Sequence, residues 1–293
     1  MTRAAAIDIG TNSTRLLVAD VAGGRVNVVK TGLLTTRLGQ GINCGCLLPG
    51  AMARTADAVA GFFEEAFRMG VSLVAAAATS AVRDASNRDE FLALLKNRAG
   101  LEAKVLSGEE EARLSYRGAL SGLGVDPLIT AVADVGGGST ELVWREGGHI
   151  RFRSVNAGAV RMTASAAGEM EIAAVLSLVL EEARRGGIQN LAGVGGTATT
   201  CAAIDLGLHR YDSALTHGYI LTLQRLTEIL SLLSSLSLTE RKKVPGLQPE
   251  RADIIVAGVT ILTQIVAGLG LDRLLVSEAD ILFGLVLEQV ENL

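Results

Sequence analysis

The chain has 293 residues, 49% of them apolar but only 3% aromatic, with a net charge of −4 at neutral pH. That length accommodates two domains of ordinary size, with cores built largely from Ala, Val, Leu and Ile. The charge excludes a general binder of nucleic-acid polymers or membranes, so a polyanionic ligand must find a local positive pocket.

In chain order, the N-terminus MTRAAAIDIG carries Asp8 where a signal-peptide core would need to stay apolar. A short strand ends at Asp8, turns through Gly10-Thr11-Asn12-Ser13-Thr14 and resumes as a second strand. A Gly23-Gly24 turn leads to a third strand-like run over 25–29. Cys44 and Cys46 have no second Cys or His pair nearby and read as incidental thiols. With Cys201 they fit no disulfide framework, and a reduced, cytoplasmic setting suits them best. The pattern then predicts a helix over 51–68, a strand over 71–77, and a helix over 86–99 with Ser86 as cap and Gly100 as stop. A short strand over 102–106 follows, and another helix begins near Ser107. The seam between domains is expected near 122–126.

A second glycine turn then echoes the first. Asp8-Ile-Gly-Thr-Asn-Ser-Thr-Arg-Leu-Leu17 aligns without gaps on Asp134-Val-Gly-Gly-Gly-Ser-Thr-Glu-Leu-Val143. Each copy opens three strand-like runs, the second with a turn at Gly147-Gly148 and a run over 149–155, so the chain carries an internal duplication. Beyond it a helix over 169–185, a strand over 191–194 and helices from 198, 223, 248 and 279 are expected. The apolar stretch 254–271 contains Thr260, Thr263 and Gln264 and reads as a buried helix rather than a membrane span. Strands alternating with helices predict α/β layers.

In a turn without side chains, successive backbone N–H groups can converge on phosphate oxygens. Ser13, Thr14, Ser139 and Thr140 add hydroxyls, and Asp8 and Asp134 at the strand ends suit a hard cation such as magnesium. An ordinary hairpin explains either copy alone equally well; the pair favours metal-assisted phosphoryl chemistry. Gly193-Val-Gly-Gly-Thr-Ala198 is a third glycine turn, serving either phosphate or close strand–helix packing, with packing slightly favoured when the turn is taken alone.

Hydrolysis requires a base for the water. In Ser107-Gly-Glu-Glu-Glu-Ala-Arg-Leu114, Glu110 fits a capping box with Ser107, and Glu109 can pair with Arg113 on the helix surface. Glu111 has no such local role, and its same-face neighbours Leu114 and Ser115 suggest that it points inward as a general base with a raised pKa. An acidic first turn favoured by the helix dipole explains the cluster as a whole nearly as well. Arg15, Arg83 and Arg251 are candidates for the missing local positive charge, whereas His217 in Thr216-His-Gly-Tyr219 reads as structural.

With these residues in view, the chain resembles the exopolyphosphatase/guanosine pentaphosphate phosphatase family. The motifs IDIGTNSTRLLVAD, TRLGQG, ATSAVRDASN, SGEEEARLSYRGAL, DVGGGSTELV, GAVRMT, GGTATT, HGYILTL and PGLQPERADIIVAG occur in family order. The resemblance implies a duplicated, actin-like α/β fold of two lobes with the active site in the interlobe cleft. Lobe I would be 1–125, completed by a C-terminal helix over 279–293, and lobe II 126–293. It implies Glu111 as base; Asp8, Asp134 and Glu141 as the Mg2+ site, with Mn2+ as a substitute; and Arg15, Arg83 and Arg251 as the phosphate grip. The remaining substrate contacts would be Thr11, Asn12, Ser13, Thr14, Gly136, Gly137, Gly138, Ser139, Thr140, Gly195, Gly196 and Thr197. Two departures stand out. The chain matches the short, two-domain type, which weakens any inference of processivity. Ser277-Glu-Ala-Asp-Ile-Leu-Phe-Gly284 also lacks the basic residue expected before its glycine.

The leading expectation is a phosphohydrolase that releases terminal phosphate from inorganic polyphosphate, guanosine pentaphosphate, or both. The alternatives are an ATP-dependent kinase of the actin-like superfamily and a non-catalytic sensor of the guanosine penta- or tetraphosphate alarmone. A homodimer is compatible with apolar surface on the second lobe.

Overall fold

The computed structural model describes residues 1–292. Leu293, the last residue assigned above to the C-terminal helix and to lobe II, lies outside the described residues. The chain divides into two compact units, Met1–Ser121 with Asp280–Leu293, and Gly122–Ala279.

The first unit opens with three antiparallel strands, β1 (Thr2–Ile9), β2 (Thr14–Ala22) and β3 (Arg25–Leu34). Helix α1 (Pro49–Arg68) leads to β4 (Leu73–Ala78), which pairs in parallel with β1. Then come α2 (Ser80–Arg83), α3 (Arg88–Ala99), a two-residue β5 (Lys104–Val105) and α4 (Gly108–Leu123). The sheet order is β3-β2-β1-β4-β5.

The second unit begins with β6 (Thr130–Val135), β7 (Thr140–Glu146) and β8 (His149–Val155), again antiparallel. It continues through α5 (Ala159–Ala164), α6 (Glu169–Arg184), β9 (Asn190–Val194) and α7 (Gly195–Asp205). Next are α8 (Ser213–Thr216), β10 (Ile220–Thr222), α9 (Leu223–Ser235), α10 (Leu238–Arg241), α11 (Ile255–Gly268) and β11 (Arg273–Val276). Its sheet order is β10-β11-β9-β6-β7-β8. Helix α12 (Ile281–Glu291) returns to the first unit.

The duplication holds at the level of strand register. Asp8 faces Arg15 and Ile9 faces Thr14 in one hairpin; Asp134 faces Glu141 and Val135 faces Thr140 in the other. Each first strand also takes a parallel partner on its other side, β4 for β1 and β9 for β6.

Side-chain alternation sets the site of the first unit. Along β1, Ala5, Ile7 and Ile9 face the core formed with Val59 and Phe62 of α1 and Phe91 and Leu95 of α3. Ala4 and Ala6 face the opposite way, into a core with Leu114 of α4 and Ile281, Leu285 and Val286 of α12. Asp8 has the parity of Ala4 and Ala6, so it emerges on the α4–α12 side. These helices pack backbone to backbone: a Cβ at Gly284 would strike the Leu114 carbonyl, which explains this glycine without any contact from the basic residue missing beside it.

Several local expectations change. Ser86 does not cap α3; its N–H and hydroxyl both donate to the Gly45 carbonyl, at 2.9 and 3.0 Å, and the helix starts two residues later. Gly100 stops α3 with φ +64°, as its position suggested. The strand expected over 102–106 shrinks to two paired residues, while the third strand of the first copy runs on to Leu34. The helix expected from 248 is a single 3-10 turn at Pro249–Arg251, and α11 begins only at Ile255. Arg113 pairs with Glu288 of α12 rather than along its own helix with Glu109. No helix among the described residues is long and apolar enough to cross a membrane.

His217 has a structural position. Its Nδ1 accepts from the Glu278 N–H at 3.1 Å, which leaves Nε2 to donate to the Gly122 carbonyl at 3.1 Å.

Candidate active site

The two glycine turns are built alike. Gly10 N–H donates to the Ser13 carbonyl, and Gly136 N–H to the Ser139 carbonyl, each at 3.0 Å. Neither glycine is left-handed. A Cβ on Gly10 would sit 2.9 Å from the Ser13 oxygen and one on Gly136 3.1 Å from the Ser139 oxygen, so close backbone approach demands them. In both turns the carbonyls are taken by a later segment. Thr11 and Asn12 accept from Gly39 and Arg37 N–H at 2.7 and 2.8 Å. Gly136 accepts from Ala159 N–H at 2.9 Å and Gly137 from Val160 and Arg161 N–H at 2.8 and 3.0 Å. Gly138 accepts from Arg161 Nε at 2.7 Å. Bonding these oxygens neutralises the turns' negative dipoles, as an anion cradle requires.

The hydroxyls divide between framework and turn. Thr14 Oγ1 bonds Thr36 Oγ1 at 3.0 Å, Thr140 Oγ1 donates to the Ala157 carbonyl, and Thr197 Oγ1 donates to the Val135 carbonyl at 3.3 Å. Of these threonines, all expected to meet substrate, Thr140 and Thr197 brace backbone carbonyls and Thr14 joins a second threonine side chain. Thr11, Ser13 and Ser139 are buried at the turns, and Asn12 Nδ2 donates to Ser13 Oγ at 3.2 Å.

In the first unit Asp8 and Arg15 meet, in line with their cross-strand register. Arg15 donates from Nη2 and Nε to Asp8 Oδ2 at 2.7 and 3.0 Å, and from Nη1 to Asp280 Oδ2. Asp280 also caps α12, its Oδ1 accepting from Leu282 N–H at 3.0 Å. Burial pushes the Asp8 carboxyl above the usual carboxylate range; Arg15 opposes the rise and the neighbouring Asp280 charge adds to it. Burial also works against the charge of Arg15, but the two carboxylates outweigh it and hold the guanidinium protonated. Three of the five guanidinium N–H donors of Arg15, the expected phosphate clamp, thus go to two acids, one of them 265 residues away in sequence.

Glu111 lies in the first turn of α4 and is 8% exposed, so it points inward as its neighbours implied. Its Oε2 accepts from Arg83 Nη1 at 2.7 Å, and the same nitrogen donates to the Leu106 carbonyl at 3.1 Å. The structure therefore brings the candidate base and a candidate phosphate-binding arginine together. Next to them the Ser107–Glu110 capping box forms as expected, with Ser107 N–H on Glu110 Oε2 at 2.9 Å and Glu110 N–H on Ser107 Oγ at 3.2 Å.

In the second unit Asp134 lies beneath the third glycine turn: a Cβ on Gly195, whose φ is +79°, would sit 2.7 Å from Asp134 Oδ1. A Cβ on Gly196 would occupy the place of the Arg251 guanidinium, so Arg251 rests on bare backbone. Glu141 is 1% exposed and accepts from Ser154 Oγ at 2.6 Å. Its register opposite Asp134 sets two carboxylates side by side.

Sequence reasoning missed Asp280 and Thr36. Asp280 precedes an apolar helix as an N-cap residue should, but no local signal connects it with Arg15.

A model of the Ppx/GppA phosphatase family matches residues 17–293. The chain is 36% identical to Exopolyphosphatase 2 of Mycobacterium tuberculosis, with 98% of each chain covered. It superposes on the Ppx/GppA family member of Aquifex aeolicus with a TM-score of 0.81 at 28% identity, covering 99% of this chain and 98% of that one. It also superposes on an exopolyphosphatase of Cytophaga hutchinsonii with a TM-score of 0.91, covering 100% and 99% of the two chains; at 23% identity, that likeness concerns the fold alone.

Proposed function

Because the chain belongs to the Ppx/GppA phosphatase family, we propose that it hydrolyses the terminal phosphoanhydride of inorganic polyphosphate, with Glu111 as the general base. The observation that carries this reading is the buried Glu111 carboxylate held by Arg83. A carboxylate removed from bulk water and oriented by a guanidinium is placed to take a proton from one aligned water. An arriving terminal phosphate competes for Arg83, and its binding frees the carboxylate for that water. In each unit the glycine-turn N–H groups neutralise charge on phosphate oxygens, joined in the second unit by Arg251, and the shortened chain leaves as an anion.

Mg2+ is the proposed cofactor. No three His, Cys, Asp or Glu side chains converge as a metal site among the described residues. Magnesium commonly keeps several waters and takes only one or two carboxylates, so the donors present still fit it. In the first unit Asp8 Oδ1 is a buried acceptor without a partner. In the second, Asp134 and Glu141 are adjacent hard oxygen donors. When bound, the ion would supply charge neutralisation at the phosphates. Guanosine pentaphosphate ends in the same type of bond and is a proposed second substrate.

Phosphate release measured side by side on long polyphosphate, short polyphosphate and guanosine pentaphosphate, with and without Mg2+, tests the reading. Mg2+-dependent release without added nucleotide supports it. No phosphate release from any of the three, with ADP formed from ATP only when an acceptor hydroxyl compound is present, would indicate a kinase instead.

A further inference from the structure

The segment between β3 and α1 ties together two parts of the first unit. At one end, Arg37 and Gly39 N–H groups hold the Asn12 and Thr11 carbonyls of the glycine turn. Arg37 adopts φ +52°, a left-handed conformation that a side-chain-bearing residue keeps only when its surroundings impose it. At the other end, the Gly45 carbonyl accepts twice from Ser86, three residues after Arg83. Asn87 closes a two-way bond with Leu47, accepting from its N–H at 2.8 Å and donating to its carbonyl at 3.0 Å. The strap thus joins the proposed phosphate cradle to the end of the helix that carries Arg83.

Two thiols sit on this strap. Cys44 is exposed and Cys46 half-buried, both free, on either side of Gly45 with φ +71°. A left-handed glycine folds its neighbours towards one another, so the two Cα atoms fall within roughly 5–6 Å, the span that a disulfide bridges. No catalytic role proposed above uses either thiol.

We propose that Cys44 and Cys46 form a reversible dithiol–disulfide site whose closure loosens the strap and weakens the first unit's hold on phosphate. The oxidant class is a low-molecular-weight disulfide such as oxidised glutathione. One thiolate attacks it, forming a mixed disulfide and releasing one reduced thiol; the second cysteine, as its thiolate, then displaces the other. Two protein thiols lose two electrons and two protons, and the small disulfide becomes two thiols. A ring closed across one residue is strained and exposed, which makes the bond easily reduced. Drawing Cys46 towards Cys44 turns the Gly45 carbonyl between them, the acceptor of both Ser86 bonds.

The effect on substrate rests on the polyphosphatase reading, whereas formation of the bond does not. The test incubates the intact protein with oxidised glutathione, followed by intact mass, peptide mapping and polyphosphate kinetics. Cys201 serves as internal control, since burial pushes its thiol up to about 12. The expected result is loss of two hydrogens on the peptide containing residues 44–46, with a several-fold rise in KM for polyphosphate. Dithiothreitol reverses both, and C44S/C46S shows neither. Glutathione adducts on both cysteines, no reaction, or an internal bond with KM unchanged overturns the proposal. If polyphosphate is not hydrolysed even by the reduced protein, the functional reading fails first, and the mass result still decides whether the bond forms.

Discussion

Arg83 Nη1 bridges the Glu111 carboxylate and the Leu106 carbonyl, at 2.7 and 3.1 Å. One guanidinium thereby fixes both the candidate base and the end of the short strand leading into its helix. Arg83→Lys keeps a positive charge but cannot hold both oxygens in the same planar geometry. It is expected to lower kcat/KM for polyphosphate about tenfold, and Arg83→Ala about a hundredfold. Steady-state kinetics of both variants check this; a fully active Arg83→Ala would remove the arginine from the site.

The Asp8–Arg15–Asp280 cluster sets a stability prediction. Arg15→Met leaves two buried carboxylates facing each other without their cation, and the expected loss is about 3–5 kcal/mol. Asp280→Asn keeps the helix cap and should lose less. Urea unfolding of the two variants orders them; equal losses would contradict the shared-cation account.

The capping box gives a pH dependence of known sign. Lys104, then the Ser107 backbone N–H, hold the Glu110 carboxyl down to about 2 from its ordinary 4.5. A depressed folded-state pKa means that the stabilisation is complete above the ordinary value and is lost as pH falls from about 4.5 to about 2. The side chain is 32% exposed, so solvent screening reduces the contribution to about 1 kcal/mol. Glu110→Gln should therefore lower stability by that amount at pH 7 and converge with the parent protein towards pH 2, as read from denaturant midpoints across pH. A constant difference at every pH would refute the electrostatic origin.

Gly196 separates fold from binding. The three atoms nearest to a Cβ there all belong to the far end of the Arg251 side chain, and alanine suits the start of α7. Gly196→Ala should keep its melting temperature while raising KM for polyphosphate about tenfold. An unchanged KM would show that the position of Arg251 on the glycine turn is irrelevant to substrate.

Local patterns made much of this legible. The gapless alignment of 8–17 on 134–143 anticipated matching registers, since a side-chain period of two leaves no room for slippage. The neighbours of Glu111 at helical spacing anticipated its burial, and Ser107 with Glu110 announced the cap. What stayed hidden depended on distant partners. Nothing near Arg15 points to Asp280, and nothing near Arg113 points to Glu288. Ser86 looked like a cap because its competing acceptor, the Gly45 carbonyl, lies 41 residues earlier. Strands β10 and β11, three and four residues long, are too short to show a period.

The base assignment is the centre of the account, and Glu111→Gln tests it most directly. Removing only the carboxylate's basicity should cut polyphosphate turnover by about 10² or more. Binding of the polymer, measured separately, should stay close to that of the parent protein. A Glu111→Gln protein that releases phosphate at a near-parental rate would contradict the account.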